Sequence, residues 1–152
     1  MENFKMMLVD DEERFLSTTK KLLGKKGYEV ITASSGSEAL EKLNSNTVHV
    51  VILDVKMPGM DGMETLKEIK RLHPLTEVIM LTGHATVESA VDGMKSGAID
   101  YLMKPCDIDE LVERAQQAFE KRTVIEERIR SAQARLYVKS PREILKQKNV
   151  ED

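Results

Sequence analysis

Short apolar runs recur along the chain. Three of them, Met6–Val9, Val48–Leu53 and Val78–Leu81, are nearly continuous rather than alternating. Runs of this kind are typical of strands that are covered on both faces in a parallel sheet. Two weaker runs, Tyr28–Thr32 and Asp100–Met103, predict strands at the edges of the same sheet.

Between these runs, apolar residues recur at steps of three and four, which predicts helices. The second predicted helix opens with Ser35–Glu38, a capping-box pattern. The third ends before His73, and the fourth begins near Thr86 and ends at Gly97. This repeated alternation of strand and helix predicts an α/β fold made of βαβ units, with helices on both faces of the sheet.

Polar residues follow four of the five predicted strands. Asp10 and Asp11 end the first strand, Asp54 the third, Thr82 the fourth and Lys104 the fifth. Ligands of open parallel sheets bind beyond these carboxyl ends, so we expect the side chains to converge. Carboxylates that lie close together repel, and either a proton or a cation must join them. Mg²⁺ suits such a cluster because it prefers oxygen ligands.

Each of these residues also has a purely structural interpretation. Asp10 and Asp11 can cap the first helix, and Asp54 can open a turn. Thr82 can be an ordinary strand residue, and Lys104 a solvated side chain. Their joint placement at the ends of four strands favours a site over these separate explanations.

Four segments at the strand ends carry a family resemblance. In chain order they are Met7–Glu12, Ile52–Gly62, Leu81–His84 and Asp100–Pro105. In this order and near this spacing they resemble the receiver domain of bacterial two-component response regulators, over residues 1 to about 122. The resemblance implies a flavodoxin-like (βα)5 doubly wound sheet with strand order 2-1-3-4-5.

The resemblance also implies roles for the acidic residues. Asp54 is the nucleophile that takes a phosphoryl group from a phosphohistidine, on a sensor histidine kinase or a phosphotransfer protein. Mg²⁺ is held by the side chains of Asp11 and Asp54, by the backbone carbonyl of Lys56, and by Asp10 directly or through water. The chain is then a switch that assists its own phosphoryl transfer and hydrolysis, and not a turnover enzyme.

Further roles come from the same resemblance. Lys104 pairs with the phosphoryl oxygens, and the Lys104–Pro105 bond is cis. Thr82 then moves towards the phosphoryl group and Tyr101 rotates inward, which changes the surface of the fourth helix, fifth strand and fifth helix. The structural alternative for Tyr101 is a core residue at a sheet edge.

The lifetime of the phosphoryl group is expected to depend on two positions. Lys56 and His84 each stand two residues beyond a site residue and can border the path of the attacking water. The alternative for His84 is an ordinary loop residue.

The apolar pattern continues past the resemblance. Steps of three and four form a heptad seam from residue 108 to residue 136, made of Ile108, Leu111, Ala115, Ala118, Arg122, Ile125, Ile129, Ala132 and Leu136. We therefore expect a helix to about Leu136, with residues 123–138 as an extension that favours a coiled-coil homodimer. The alternative is a helix that docks on its own domain or frays in isolation. Residues 139–152 are polar and predicted to be disordered.

Composition and charge limit which classes of partner and which cellular location we expect for this chain. The net charge is −3, Trp is absent, and the chain from Asp107 onward carries ten basic and ten acidic residues, which argues against direct nucleic-acid binding. No apolar run reaches the roughly 18 residues of a membrane span, and the start lacks a secretory signal. The single cysteine, Cys106, fits a reducing cytosol and a packing role, so we expect a cytoplasmic protein.

Three functional hypotheses follow. The first is a phosphorylation-dependent protein contact, made by a stand-alone receiver or by the front part of a larger regulator. The second, an aspartate-nucleophile phosphatase, requires a second Asp two residues after the nucleophile, where this chain has Lys56. The third is a scaffold or dimerisation module with the receiver fold that is never phosphorylated.

Overall fold

The computed structural model describes residues 4–57, 59, 61–83 and 86–151, with side chains described as far as Leu136. Within these residues, five strands alternate with five helices. The strands are β1 (Lys5–Val9), β2 (Glu29–Ala33), β3 (Val50–Leu53), β4 (Glu77–Thr82) and β5 (Asp100–Met103). The helices are α1 (Glu13–Lys25), α2 (Gly36–Ser45), α3 (Gly62–Leu72), α4 (Val87–Lys95) and α5 (Ile108–Glu151).

The strands form one parallel sheet in the order β2-β1-β3-β4-β5. This confirms the predicted α/β fold, the strand order and the two edge strands. In the pair formed by β1 and β3, Met6 aligns with Val50 and Val9 aligns with Leu53. The carboxyl ends of the strands therefore meet along one rim.

Two apolar cores cover the two faces of the sheet. Met6 and Leu8 of β1 belong to the core that also contains Leu111 of α5, whereas Met7 and Val9 belong to the opposite core. Successive strand residues point to opposite faces, so a strand that is buried on both sides reads as a continuous apolar run. This burial is the physical reason for the pattern in the sequence.

Side-chain caps fix where three of the helices begin. The Ser35 hydroxyl accepts from the backbone N–H of Glu38 at 3.1 Å, as the capping-box pattern predicts. The Glu38 carboxylate reaches one residue further back than the pattern implies and accepts from the N–H of Ser34 at 2.9 Å. Asp61 and Thr86 cap α3 and α4 in the same manner.

The last helix is longer than expected. Its backbone continues to Glu151, so the prediction of an end near Leu136 is wrong. Residues 142–151 contain mainly Glu, Leu, Lys, Arg and Gln and no glycine. These residue types have high helix propensity, and a polar composition does not prevent a helix.

The chain divides into two compact units, Met1–Arg122 and Thr123–Asp152. The roles assigned to residues 1–122, 123–138 and 139–152 stay predictions. Among the described residues, no helix combines the length and the apolar character needed to cross a membrane.

Candidate functional site

Backbone hydrogen bonds hold the residues of the rim in place. The N–H of Asp10 donates to the carbonyl of Ala33 at 3.1 Å, and that of Asp54 to the carbonyl of Val9 at 2.9 Å. The N–H of Lys104 donates to the carbonyl of Thr82 at 2.9 Å. Because the parallel pairing continues past the strand ends, the positions of these side chains are set by the sheet itself.

Three carboxylates meet at this rim. One oxygen each from Asp10, Asp11 and Asp54 lies within 4.8 Å of the others. Asp10 and Asp54 are buried, with 1% and 6% of their surface exposed, and Asp11 is exposed. A cluster of oxygen ligands with one solvent-facing side is a suitable place for a hydrated divalent cation such as Mg²⁺.

The buried carboxylate of Asp54 is the most perturbed group of the cluster. Burial raises the pKa of Asp54 above its ordinary value, and the negative charge of Asp10 raises it further. The Lys104 ammonium and a hydrogen bond from Thr82 act in the opposite direction on this pKa. Among the described residues, no hydrogen-bond partner reaches Oδ1 of Asp54. A cation at this place would satisfy that oxygen.

The Lys104 ammonium lies near two acidic side chains and one aromatic ring. Its Nζ is 2.5 Å from Oδ2 of Asp10 and 3.9 Å from Oε1 of Glu12. The same Nζ is 4.2 Å from the centroid of the Phe15 ring. The Lys104–Pro105 peptide bond is cis, the geometry that the family resemblance implies.

The loop after Asp54 passes so close to α3 that residue 62 has no room for a side chain. The N–H of Gly62 donates to the carbonyl of Val55 at 2.8 Å. A Cβ at position 62 would lie 2.2 Å from the backbone oxygen of Asp54. Gly62 therefore fixes the backbone that carries Asp54, and the Asp61 cap holds the start of the same helix.

These side chains surround an open cleft of about 700 Å³ at the rim of the sheet. Its lining combines carboxylates, the Lys104 side chain and the loop that follows β3, and includes Asp11, Glu12, Asp54, Lys56, Asp61 and Lys104. The cleft can admit a small phosphorylated group to Asp54.

A family model described as the response regulator receiver domain matches residues 6–116. The chain belongs to this family. Receiver domains are the switches of phosphorylation-dependent two-component regulation, and they generally bind Mg²⁺ in an acidic pocket. They act with histidine kinases or phosphotransfer proteins.

Curated relatives share this receiver domain at the sequence level. Transcriptional regulatory protein ZraR of Escherichia coli K12 is 41% identical over 117 residues, which is 77% of this chain and 26% of ZraR. DNA-binding transcriptional regulator NtrC of the same organism is 44% identical over 111 residues, which is 71% of this chain and 24% of NtrC. The chain thus spans about a quarter of the length of these relatives.

Solved structures share the receiver fold. A response regulator receiver domain from Clostridium thermocellum is 40% identical with a TM-score of 0.75, over 80% of this chain and 98% of that one. NtrX from Brucella abortus is 33% identical with a TM-score of 0.78, over 83% of this chain and 29% of NtrX. The similarity to NtrX thus lies in one part of a larger protein.

Most of the predicted site residues converge in this receiver domain. Asp10, Asp11, Asp54 and Lys104 line one rim, and Thr82 is fully buried at the end of β4. Their individual roles stay predictions. The alternative in which Asp10 caps the first helix does not hold: the N-cap of α1 is Glu12, without a side-chain cap hydrogen bond, and Oδ1 of Asp10 accepts from the N–H of Glu12 at 2.9 Å in the turn before the helix.

The remaining predicted residues lie around this rim or outside the described part of the chain. Lys56 is exposed beside the cleft. Tyr101 is half-buried, and its hydroxyl is 2.7 Å from Oγ of Ser89 on α4. His84 falls outside the described residues. Cys106 is half-buried next to Pro105, in agreement with a packing role.

Two residues of the site escaped sequence reasoning. Phe15 reads only as one apolar position of α1, and nothing in its spacing indicates a contact with an ammonium. Gly62 belongs to a quoted motif, but its steric role depends on how close two backbones come. A glycine directly after a helix-capping Asp is the signal that could have found it.

Proposed function

We propose that this receiver domain accepts a phosphoryl group on Asp54 from a phosphohistidine of a sensor kinase or a phosphotransfer protein. The observation that carries the proposal is the approach of Asp10, Asp11 and Asp54 to within 4.8 Å, beside the Lys104 ammonium. In the transfer, an Asp54 carboxylate oxygen forms a bond to phosphorus while the bond from phosphorus to the imidazole nitrogen breaks. The bonding electrons stay with the departing imidazole.

We propose that Mg²⁺ binds at this site. The side chains of Asp11 and Asp54, the backbone carbonyl of Lys56, and Asp10 directly or through water would hold it. When bound, the ion neutralises carboxylate repulsion and the charge of the phosphoryl oxygens. The chain's own contribution is to keep Asp54 aligned, with the Lys104 ammonium at hand for a phosphoryl oxygen.

The same site would remove the group again by hydrolysis. A water oxygen attacks phosphorus, and the bond from phosphorus to the Asp54 oxygen breaks. The bonding electrons stay with the Asp54 carboxylate, and the protons of the water leave with inorganic phosphate. Lys56 is exposed at the cleft, where its side chain can affect access of this water. We assign His84 the same influence from its position in the sequence.

The output of the switch is assigned to α4, β5 and α5. Phosphorylation adds nearly two negative charges and strong acceptor oxygens. The buried Thr82 hydroxyl would move towards them, and Tyr101 would then give up its contact with Ser89 on α4 and rotate further inward. Apolar side chains are exposed on this part of the surface, among them Val87 at 84% and Met103 at 61%. A change in α4 would therefore alter a surface suited to protein contacts.

We assign a second contact to the helical extension. Val124, Ile125, Ile129 and Leu136 are between 41% and 67% exposed on this helix. An apolar stripe of this kind is stabilised when a second helix covers it. We infer a homodimer in which two copies of the extension pair. The chain acts in this form alone or as the front part of a larger regulator, as the longer relatives suggest.

The test is labelling with acetyl phosphate, a small phosphoryl donor, in the presence of Mg²⁺. Intact mass should increase by one phosphoryl group in the wild-type chain. The increase should be absent in Asp54→Asn and after chelation of Mg²⁺, and present in the control Asp92→Asn, which alters an exposed carboxylate on α4. Equal labelling of Asp54→Asn would contradict the assignment of the nucleophile. Absence of label in the wild-type chain would favour the unphosphorylated scaffold.

A further inference from the structure

Among the described residues, three side chains of two chemical kinds contact the Lys104 ammonium, and its charge also acts on the Asp54 carboxylate. Asp10 and Glu12 offer carboxylate oxygens at 2.5 and 3.9 Å from Nζ. Phe15 offers the face of its ring, with the centroid 4.2 Å from Nζ. The Lys104 side chain is only 18% exposed, so water shields this ammonium little from its neighbours.

A metal ion at the rim changes the balance among these three neighbours. Mg²⁺ and the Lys104 ammonium would compete for the oxygens of Asp10. Glu12 cannot replace Asp10 as a partner, because its side chain is 70% exposed and such pairs are strongly screened by water. The Phe15 ring attracts an ammonium through its electron-rich face, but it is no ligand for a hard cation that prefers oxygen.

We infer that Phe15 is a positioning residue for phosphoryl transfer: its ring holds the Lys104 ammonium at the rim when Mg²⁺ takes Asp10. This inference rests on the proposed function, in which Lys104 must meet a phosphoryl oxygen beside the ion. The ring is suited to the task because it lies on α1, half-buried and packed against the core. Phe15 and Lys104 also line one apolar groove of about 400 Å³, where the lysine stem can pack.

Kinetics of labelling separate the ring face from simple packing. Phe15→Leu keeps an apolar side chain and removes the ring, whereas Phe15→Tyr keeps the ring. Leu22→Ala is the matched control, because Leu22 lies on α1 beside the same groove and two turns from Phe15. At saturating Mg²⁺, we expect the maximal rate of labelling by acetyl phosphate to fall about fivefold to thirtyfold in Phe15→Leu. Phe15→Tyr and Leu22→Ala should label at the wild-type rate.

Two further measurements do not depend on the chemistry of labelling. Calorimetric titration should give the same Mg²⁺ dissociation constant for Phe15→Leu and wild type, because the ring is no ligand. In nuclear magnetic resonance spectra, the ring should shift the Hε signals of Lys104 upfield, and the shift should persist at saturating Mg²⁺. Phe15→Leu should abolish the shift with and without the ion.

The outcomes separate this inference from the proposed function. If the wild-type chain and Phe15→Leu are labelled equally fast, the inference about Phe15 is wrong and the proposed function is unaffected. Equal slowing of Phe15→Leu and Phe15→Tyr, or loss of the upfield shift in wild type on addition of Mg²⁺, overturns it as well. Absence of label in the wild-type chain contradicts the proposed function, and the inference falls with it.

Discussion

Nζ of Lys104 lies 2.5 Å from Oδ2 of Asp10, although the two residues are 94 positions apart in the sequence. β3 and β4 lie between their strands in the sheet, so the contact is made over the carboxyl end of the sheet. Asp10 is 1% exposed, and a carboxylate so deeply buried requires a positive neighbour. In the absence of a metal ion, Lys104 supplies that charge.

The first prediction concerns Lys104→Met. We expect the free energy of unfolding to fall by about 3 kcal/mol at pH 7 in the presence of a chelator, because the variant leaves the Asp10 carboxylate buried without a counter-charge. Addition of Mg²⁺ should recover much of the loss by supplying the missing charge. Urea unfolding with and without Mg²⁺ measures both effects. The exposed Lys20→Met is the control and should change little. A Lys104→Met chain as stable as wild type in chelator would show that the pair does not neutralise Asp10.

The second prediction concerns the pH dependence that Asp54 imposes on stability. Its folded-state pKa is raised above the ordinary 3.8, first by burial and then by the Asp10 charge. At a pH below the unfolded-state pKa, the folded and unfolded chains both hold the Asp54 proton, so Asp54 does not reduce stability. As pH rises, the unfolded state releases the proton first, so stability falls until the pH passes the raised folded-state pKa. Above that pH the penalty is complete.

Asp54→Asn removes this penalty. Without divalent cations we expect the variant to be more stable than wild type at pH 7, by on the order of 1 kcal/mol, with the difference vanishing below the ordinary pKa of Asp. Urea unfolding between acid and neutral pH in chelator measures it. The exposed Asp92→Asn is the control and should follow wild type at every pH. A stability gap for Asp54→Asn that widens towards acid pH has the wrong sign and would refute the argument.

The third prediction compares two glycines. In Gly62→Ala the new Cβ would lie 2.2 Å from the backbone oxygen of Asp54, so the loop must move. We expect a loss of roughly 2 to 3 kcal/mol of stability and a strongly reduced labelling rate, because Asp54 moves with its backbone. Gly24→Ala is the matched control: a Cβ there meets nothing within 4 Å on the exposed side of α1. It should stabilise by about 0.5 to 1 kcal/mol. Labelling of Gly62→Ala at the wild-type rate would show that the loop adapts.

The sheet and the rim could be predicted because they depend on local patterns. A strand that is buried on both faces must be apolar throughout, and a parallel sheet brings all its carboxyl ends to one edge. Asp10, Asp54 and Lys104 therefore had to converge once their strands were identified. The positions of the polar residues at the strand ends were therefore enough to predict where the site lies.

The parts of the site that escaped prediction depend on distances between elements. The Phe15 ring meets the Lys104 ammonium only because α1 packs beside the loop after β5, and no spacing within either segment encodes that contact. The steric role of Gly62 likewise arises between two backbones. The end of α5 differs from the expected one for another reason: residues 142–151 are polar, but their high helix propensity allows the helix to continue.

The fourth prediction uses the cap of α2. The N–H of Ser34 and the Lys42 side chain lower the pKa of Glu38 to about 2, compared with an ordinary 4.5. The ionised Glu38 cap therefore stabilises the fold fully at a pH above the unfolded-state pKa. This stabilisation is lost as pH falls through the folded-state pKa. Discounted for the exposure of this side chain, the contribution is about 1 kcal/mol.

Glu38→Gln should accordingly be less stable than wild type at neutral pH, and the difference should shrink as pH falls and vanish only below the folded-state pKa of about 2. Thermal unfolding at a series of pH values measures the difference. The control is Glu41→Gln, an exposed position on the same helix, which should show no such trend. A Glu38→Gln deficit that stays constant down to the lowest pH would mean that the amide loses packing rather than charge.

The last prediction concerns the helical extension. Ile125 and Ile129 are 41% and 43% exposed, and they lie one helical turn apart on the same face. If two copies pair along this face, replacing both with lysine places four charges in one seam and should reduce the dimer to a monomer. Molar mass from light scattering, measured with Mg²⁺ and with and without beryllofluoride, reports the change.

The matched control replaces Ser131 and Ala134, exposed residues of the same helix away from that face, with lysine. It adds the same charge and should leave the dimer intact, because the lysines remain in water. A wild-type chain that is monomeric in both conditions would exclude pairing through this helix. Equal dissociation of both double variants would assign the effect to net charge rather than to the seam.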